Sequence, residues 1–163
     1  MQLVPITSED EDLTVRLECD PEIMVHIGGP RPESDARAAH KRRLELMEKG
    51  DAHMYKIVAD DSDDVLGTVG IWKIDSESPQ TYEMGWLVLP EHQGKGVATE
   101  AARLILAQAR SDPKVRYVDA YPATTNAASN AIARKIGMEN QGEFDNKGFA
   151  GVLRCNHWRV DLG

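Results

Sequence analysis

Cysteine is scarce in this chain: Cys19 and Cys155 are the only two, far apart and without CxxC spacing. That argues against a disulfide framework or a thiol-rich zinc site, so both read as reduced bystanders and no metal is expected. Long hydrophobic runs are also missing. No apolar stretch approaches the roughly 20 residues of a membrane span, and the opening "MQLVPITSED" has neither a basic region nor an apolar core, so no signal peptide is expected. The expected location is the cytoplasm, with no membrane partner. Positive charge is in short supply, with 19 Lys and Arg against 27 Asp and Glu. Nucleic acid is therefore not an expected partner; the one basic stretch, "HKRRLELMEKG", is interleaved with acids and reads as a solvated helix face. Fixed-period repeats, low-complexity tracts and linkers are absent as well, which points to a single domain over residues 1–163.

What is present is enough apolar residue, 41% of 163, for one core of ordinary size. A short strand is expected near Leu3. Ser8 and Glu11 have capping-box spacing ahead of Leu13 and Leu17, and the segment from Ser34 to Lys49 stops at Gly50, so the N-terminal third reads as largely helical. "HMYKIVAD", "DVLGTVGIWKI" and "TYEMGWLVL" are three β-rich runs separated by Asp-Asp-Ser-Asp and Ser-Glu-Ser-Pro turns, which predicts an antiparallel meander. Helix 96–110, strand "VRYVDAY", helix 127–136 and a strand-like tail "GVLRCNHWRVDL" then alternate. The fold class is α+β: a mixed, mostly antiparallel sheet with helices on both faces.

Between the meander and the first of these later helices lies "LVLPEHQGKGVATEAARLI". A strand ending at Leu89 and a helix beginning near Gly94 present the unpaired amides of the first helical turn to an anion, favoured by hydrogen bonds and by the helix dipole. Gly94 and Gly96 let the backbone approach a phosphate with no Cβ in the way, and Ala98 is nearly as small. Val97, Ala101, Leu104 and Ala98, Ile105, Ala109 supply the apolar stripe that seats the helix on the sheet. A Walker loop is ruled out by the glycine spacing. A dinucleotide fingerprint would need a third glycine where Thr99 stands, although Asp119 ends the next strand where a ribose-binding acid would sit. A Q/R-x-x-G-x-G/A pattern is met at every specified position by Gln93-Gly94-Lys95-Gly96-Val97-Ala98.

With that turn, the chain resembles the GNAT superfamily of acyl-CoA-dependent N-acetyltransferases, whose signature turn binds the pyrophosphate of coenzyme A. "NAASNAIARKIGM" is similar to the family's second helical segment, with Met138 in place of the usual Phe. The resemblance covers residues 54 to 162 well and the N-terminal third only in its helical outline. The details are most similar to the branch of ribosomal-protein N-terminal acetyltransferases (RimJ/RimL-like) and certain aminoglycoside acetyltransferases.

An attacking amine must lose a proton, and Glu83, on the strand that enters the motif, is the candidate base. Its other reading is a solvated strand carboxylate. His92 reads as a surface loop residue, and His53 and His157 have no placement from sequence. The resemblance implies the backbone amide of Val88 as oxyanion donor, Leu87 and Leu89 as strand-like partners of pantetheine, and acetyl-CoA as cosubstrate bound along Gly94 to Thr99. The family's usual tyrosine is replaced by Ala133. Ser129, one helical turn earlier on the same face, is the candidate donor to the leaving thiolate, or else a residue satisfying nearby backbone. Asn126 reads as a helix N-cap, to which the resemblance adds a contact with pantetheine. Lys95 and Lys135 or Arg134 meet CoA phosphates or are solvated charges. The resemblance builds the acceptor pocket from 23–37, from strand ends near Trp72 and Tyr82, and from the hairpin "GEFDNKGFAGVL". Glu77, Glu83, Glu143 and Asp145 could attract a cationic amine, whether a protein N-terminus, an aminoglycoside or a polyamine. A homodimer is compatible with all of this. Two other readings stay open: a non-catalytic CoA-binding module and a dinucleotide-dependent oxidoreductase.

Overall fold

Three strands largely shielded on both faces form the meander expected from the sequence: β2 (Ala52–Val58), β3 (Val65–Lys73) and β4 (Thr81–Val88), each antiparallel to the next. In the computed structural model, which describes residues 1–74, 80–148 and 151–163, these strands lie within a seven-stranded sheet. β1 (Gln2–Pro5) pairs with β2 at one edge. Beyond β4 come β5 (Tyr117–Ala120), then β7 (Gly151–Asp161), then β6 (Glu139–Gly148), so the order is β1-β2-β3-β4-β5-β7-β6. The β4–β5 pair is parallel and the other pairs are antiparallel. The expected Ser-Glu-Ser-Pro turn and the tip of the last hairpin, 149–150, fall outside the described residues.

Helices cover both faces. α1 (Glu11–Glu18) and α2 (Glu33–Glu48) lie on one, where Leu44 and Met47 pack on Ile6, Ala52 and Met54. α3 (Val97–Ala109) and α4 (Ala127–Lys135) lie on the other, where α3 buries its apolar side against Ile57, Val69, Ile71 and Met84. Leu104, expected in that stripe, is only partly buried; Ala102 and Leu106 are buried instead. A helix lying flat on a sheet needs an apolar band wider than one row, and the alanines let it sit close.

The N-terminal cap also differs from expectation. Thr7, not Ser8, closes the box: its hydroxyl accepts from the Glu9 N–H (3.3 Å) and its own N–H donates to Asp10 Oδ2 (2.8 Å). A single 3-10 turn, Ser8–Asp10, precedes α1 and moves the cap back one residue. α2 begins at Glu33 behind Pro32, with Ser34 inside its first turn, and the chain turns away at Gly50, whose φ of 72° favours glycine.

One feature of the sheet prepares the site. β4 runs eight residues, yet its pairing with β5 stops at Glu83↔Asp119. From there the two strands part. Where β4 ends, β3 approaches so closely that a Cβ on Gly67 would lie 2.2 Å from the Leu87 carbonyl oxygen and 2.8 Å from Val88 Cα. Gly67→Ala should therefore cost about 1–3 kcal/mol through overpacking and lower the melting temperature by several degrees; an unchanged melting curve would contradict this close approach.

Candidate active site

The parting leaves one side of β4 without a strand. Ladder alternation fixes which side each residue faces. Leu89 donates its N–H to Leu66 O (2.9 Å) and Ile74 donates to Thr81 O (3.2 Å), so in this register Leu87, Gly85 and Glu83 also turn their backbone groups to β3. Trp86 and Val88 turn theirs the other way, into the gap. The Val88 carbonyl is taken by Gln93 Nε2 (2.9 Å), which leaves its N–H pointing into the parting. The backbone partners expected at Leu87 and Leu89 thus shift by one residue, because those two amides belong to β3.

At the open end of the gap stands the glycine turn. α3 begins at Val97, three residues later than the expected start near Gly94, because Gly94 and Gly96 adopt φ of 71° and 79°. A Cβ at either would meet no atom within 4 Å, so packing does not demand glycine there; the left-handed backbone does. No N–H from Gly94 to Thr99 finds a protein acceptor among the described residues, and Gly96 offers α3 no side-chain cap. Unpaired amides at a positive helix end are a place for an anion. Lys95 is exposed and folds back, donating to Glu91 O (2.9 Å).

α4 forms the far wall. Asn126 is its N-cap as expected, Oδ1 accepting from the Ser129 N–H (3.0 Å). Ser129 Oγ accepts from the Trp86 indole N–H (3.3 Å), a bond that crosses from α4 to β4. Asn130, which sequence reasoning left without a role, fastens this wall: Nδ2 donates to Ala123 O and Asn126 O, while Oδ1 accepts from Asn156 and from Trp158 Nε1 (2.8 Å each). Lys135 is exposed at the other end of α4, and Arg134 lies over the Trp158 ring at 5.6 Å. Among the described residues neither has a contact that brings it to the glycine turn. Ala133 is fully buried.

A cavity of about 310 Å³ runs through this region. Glu83, Gly85 and Leu87 line it from one face of the sheet, while Trp86, Asn126 and Ser129 line it from the other, so the cavity passes through the sheet at the parting. On the α1–α2 side its wall includes Met24, His26, Ile27 and Trp72, and the last hairpin adds Asn146, Gly148 and Leu153, much as expected. Tyr82 does not take part. Next to Glu83 on β4 it faces the opposite side and is core. Glu143 and Asp145 are exposed and held by Arg154 (3.2 and 3.1 Å) instead of lining the cavity, and Glu77 falls outside the described residues.

Glu83 sits on the cavity wall beside a second, buried carboxylate, Asp119, its partner in register on β5. Burial drives the Glu83 carboxyl up to about 7; a hydrogen bond from Trp72 opposes the rise and the Asp119 charge adds to it. Asp119 goes the other way. Burial alone would raise it, but two bonds from Arg159 (2.7 Å each), one from Tyr121 Oη (2.9 Å) and nearby His157 (3.0 Å) hold it below the usual range. Two neighbouring carboxyls are thereby split into a fixed anion and a group that titrates near neutrality, a pattern suited to proton transfer. Trp72, expected in the pocket, lines the cavity near Glu83, and so does Tyr121, which had no sequence signal beyond an aromatic residue at a strand end. His53 lies elsewhere, 3.4 Å from Asp112, and His92 sits in a short 3-10 turn. Among the described residues no group of three or more His, Cys, Asp or Glu is placed to hold a metal, and no helix is long and apolar enough to cross a membrane.

A parted parallel strand pair, a bare helix start and a carboxyl that titrates near neutrality lie together around one cavity. The sequence model of the Acetyltransferase (GNAT) domain matches residues 1–139, and the chain belongs to that family. It is an N-acetyltransferase, which sets aside the oxidoreductase alternative. Among curated proteins it is 32% identical over 127 residues to the uncharacterized N-acetyltransferase YnaD of Bacillus subtilis, covering 77% of this chain and 71% of that one. Among solved structures it superposes on spermidine N-acetyltransferase from Vibrio cholerae, solved with CoA and spermine, with a TM-score of 0.82 at 15% identity, covering 99% and 95% of the two chains. The ribosomal-protein acetyltransferase RimL, solved with coenzyme A, gives a TM-score of 0.81 at 15% identity over 98% of this chain and 92% of that one.

The raised Glu83 carboxyl carries a stability consequence. The folded state holds this proton more tightly than the unfolded chain, so its contribution is complete below the unfolded value of 4.5 and is lost as pH rises through about 7. Glu83→Gln should remove that loss: relative to wild type, the variant gains stability between pH 5 and 8, by on the order of 3 kcal/mol at most. Parallel pH profiles of melting temperature for the two proteins would contradict the placement of Glu83.

Proposed function

We propose that this chain transfers an acetyl group from acetyl-CoA to a primary amine by direct attack in a ternary complex. The observation that carries the reading is the cavity that pierces the sheet where β4 and β5 part. It joins a place for the donor, between Trp86 and Ser129, to a place for the acceptor, beside Glu83.

In this reading the pyrophosphate of CoA lies against the amides of Gly94 to Thr99, and pantetheine runs along the Trp86–Val88 edge of β4 with Asn126 and Ser129 opposite. The amine nitrogen attacks the thioester carbonyl carbon and forms the C–N bond. The Val88 N–H, fixed in direction because the Leu87 carbonyl of the same peptide plane faces β3, donates to the developing oxyanion. Glu83 takes the proton the amine must lose; a group near 7 is about half deprotonated at neutral pH and basic enough to accept it. The C–S bond then breaks, sulfur leaves with the electron pair, the Ser129 hydroxyl donates a hydrogen bond to it, and the thiolate is protonated by solvent. The products are the amide and free CoA. Protein N-termini, polyamines and aminoglycosides are the acceptor classes considered; RimL and the spermidine enzyme show that chains of this fold serve acceptors as different as a ribosomal protein and a polyamine.

Titration calorimetry should show acetyl-CoA binding in the micromolar range. Gly96→Val, which puts a branched side chain at a φ of 79° and into the anion's space, should weaken that binding by several kcal/mol and cost about 1–2 kcal/mol of stability. A well-folded wild type that binds neither acetyl-CoA nor CoA would refute the reading. With a suitable amine, wild-type kcat/KM should rise with pH through a midpoint near 7. Glu83→Gln should lower kcat roughly 10- to 1,000-fold and recover at higher pH, where more amine arrives neutral. Tight CoA binding with no CoA release across all three acceptor classes would favour the non-catalytic module.

A further inference from the structure

A serine in the first turn of a helix usually spends its hydroxyl on nearby backbone. Ser129 does not. Its N–H is satisfied by Asn126 Oδ1, and its Oγ receives the indole N–H of Trp86, a residue of β4 that reaches across the parting. An indole nitrogen only donates, so the serine oxygen must be the acceptor and the hydroxyl proton must point elsewhere. Among the described residues that proton has no acceptor. What it faces is the cavity, since Trp86 and Ser129 both line it.

Trp86 is well suited to hold an atom in place. It is partly buried and packs against the main core cluster, and it stands opposite Val69 between Gly85 and Leu87, whose backbone groups face β3. Accepting a hydrogen bond also makes a hydroxyl a stronger donor. The two tryptophans of adjacent strands divide the site between them: on one face of the sheet Trp72 offers its hydrogen bond to Glu83, and on the other Trp86 offers its own to Ser129. Ala133, where the family's usual tyrosine would stand, is buried and has no polar side chain, so a lone serine needs this outside support.

We propose that Trp86 is a positioning residue for acetyl transfer: its indole N–H fixes the Ser129 oxygen across the parted strands and leaves the hydroxyl proton directed at the departing sulfur. This rests on the assignment of Ser129 above.

The test is a double-mutant cycle in kcat with acetyl-CoA as donor. Trp86→Phe keeps a ring and removes the N–H; it should lower kcat roughly 5- to 50-fold while KM for acetyl-CoA stays within about two-fold. In a Ser129→Ala background the same change should slow kcat by less than about two-fold, because the group it positions is gone. If Trp86→Phe unfolds, replacing the indole of Trp86 by benzothiophene, which keeps the bicyclic shape and swaps N–H for sulfur, decides the matter in the same way. A slow Ser129→Ala enzyme beside a Trp86 variant of wild-type kcat would overturn the inference, as would two effects that multiply in the double variant. Wild-type kcat in Ser129→Ala would instead remove the serine assignment, and the positioning role with it.

Discussion

The whole site depends on two parallel strands that stop pairing. Had β5 followed β4 to its end, the Val88 N–H would belong to a ladder and the sheet would be closed. Pairing instead ends at Glu83↔Asp119, and a strip of β4 keeps unspent hydrogen-bonding groups in the middle of a folded protein. Such groups are costly unless water or a ligand meets them. Much of the surrounding structure keeps the gap open and its walls fixed. Gln93 ties the end of β4 to the glycine turn, Asn130 ties α4 to β7, and Trp86 bridges the two walls.

Electrostatics then divides the gap along its length. The bare amides of the glycine turn favour an anion at one end. At the other, Asp119 is saturated with donors and stays ionised, so its neighbour Glu83 carries the adjustable proton. The chain's net charge of -8 does not decide this; the local count of donors around each carboxylate does.

How much of this was legible in the sequence follows from what kind of signal each part leaves. The meander was readable because β-rich runs are broken by turn residues, the later helices because burial repeats every three to four residues, and the Gln93–Ala98 turn because left-handed backbone needs glycine. Asn126 was readable as a cap for a similar local reason. Tertiary facts were not. Nothing in "TYEMGWLVL" says that β5 pairs with only its first residues, so Leu87 and Leu89 were expected to face pantetheine when Trp86 and Val88 have the free side. Tyr82 was placed in the pocket beside Glu83, although neighbours on a strand point to opposite faces. The bond from Trp86 to Ser129 spans 43 residues and left no pattern to read.

Amide hydrogen exchange, resolved by residue and measured with and without CoA, tests the central claim most directly. In the free protein the amides of Leu87 and Leu89, bonded to β3, should be protected, while that of Val88 exchanges far faster. On adding CoA the Val88 amide should become protected with little change at its two neighbours. A Val88 amide already protected in the free protein, or one left unprotected at saturating CoA, would contradict the account.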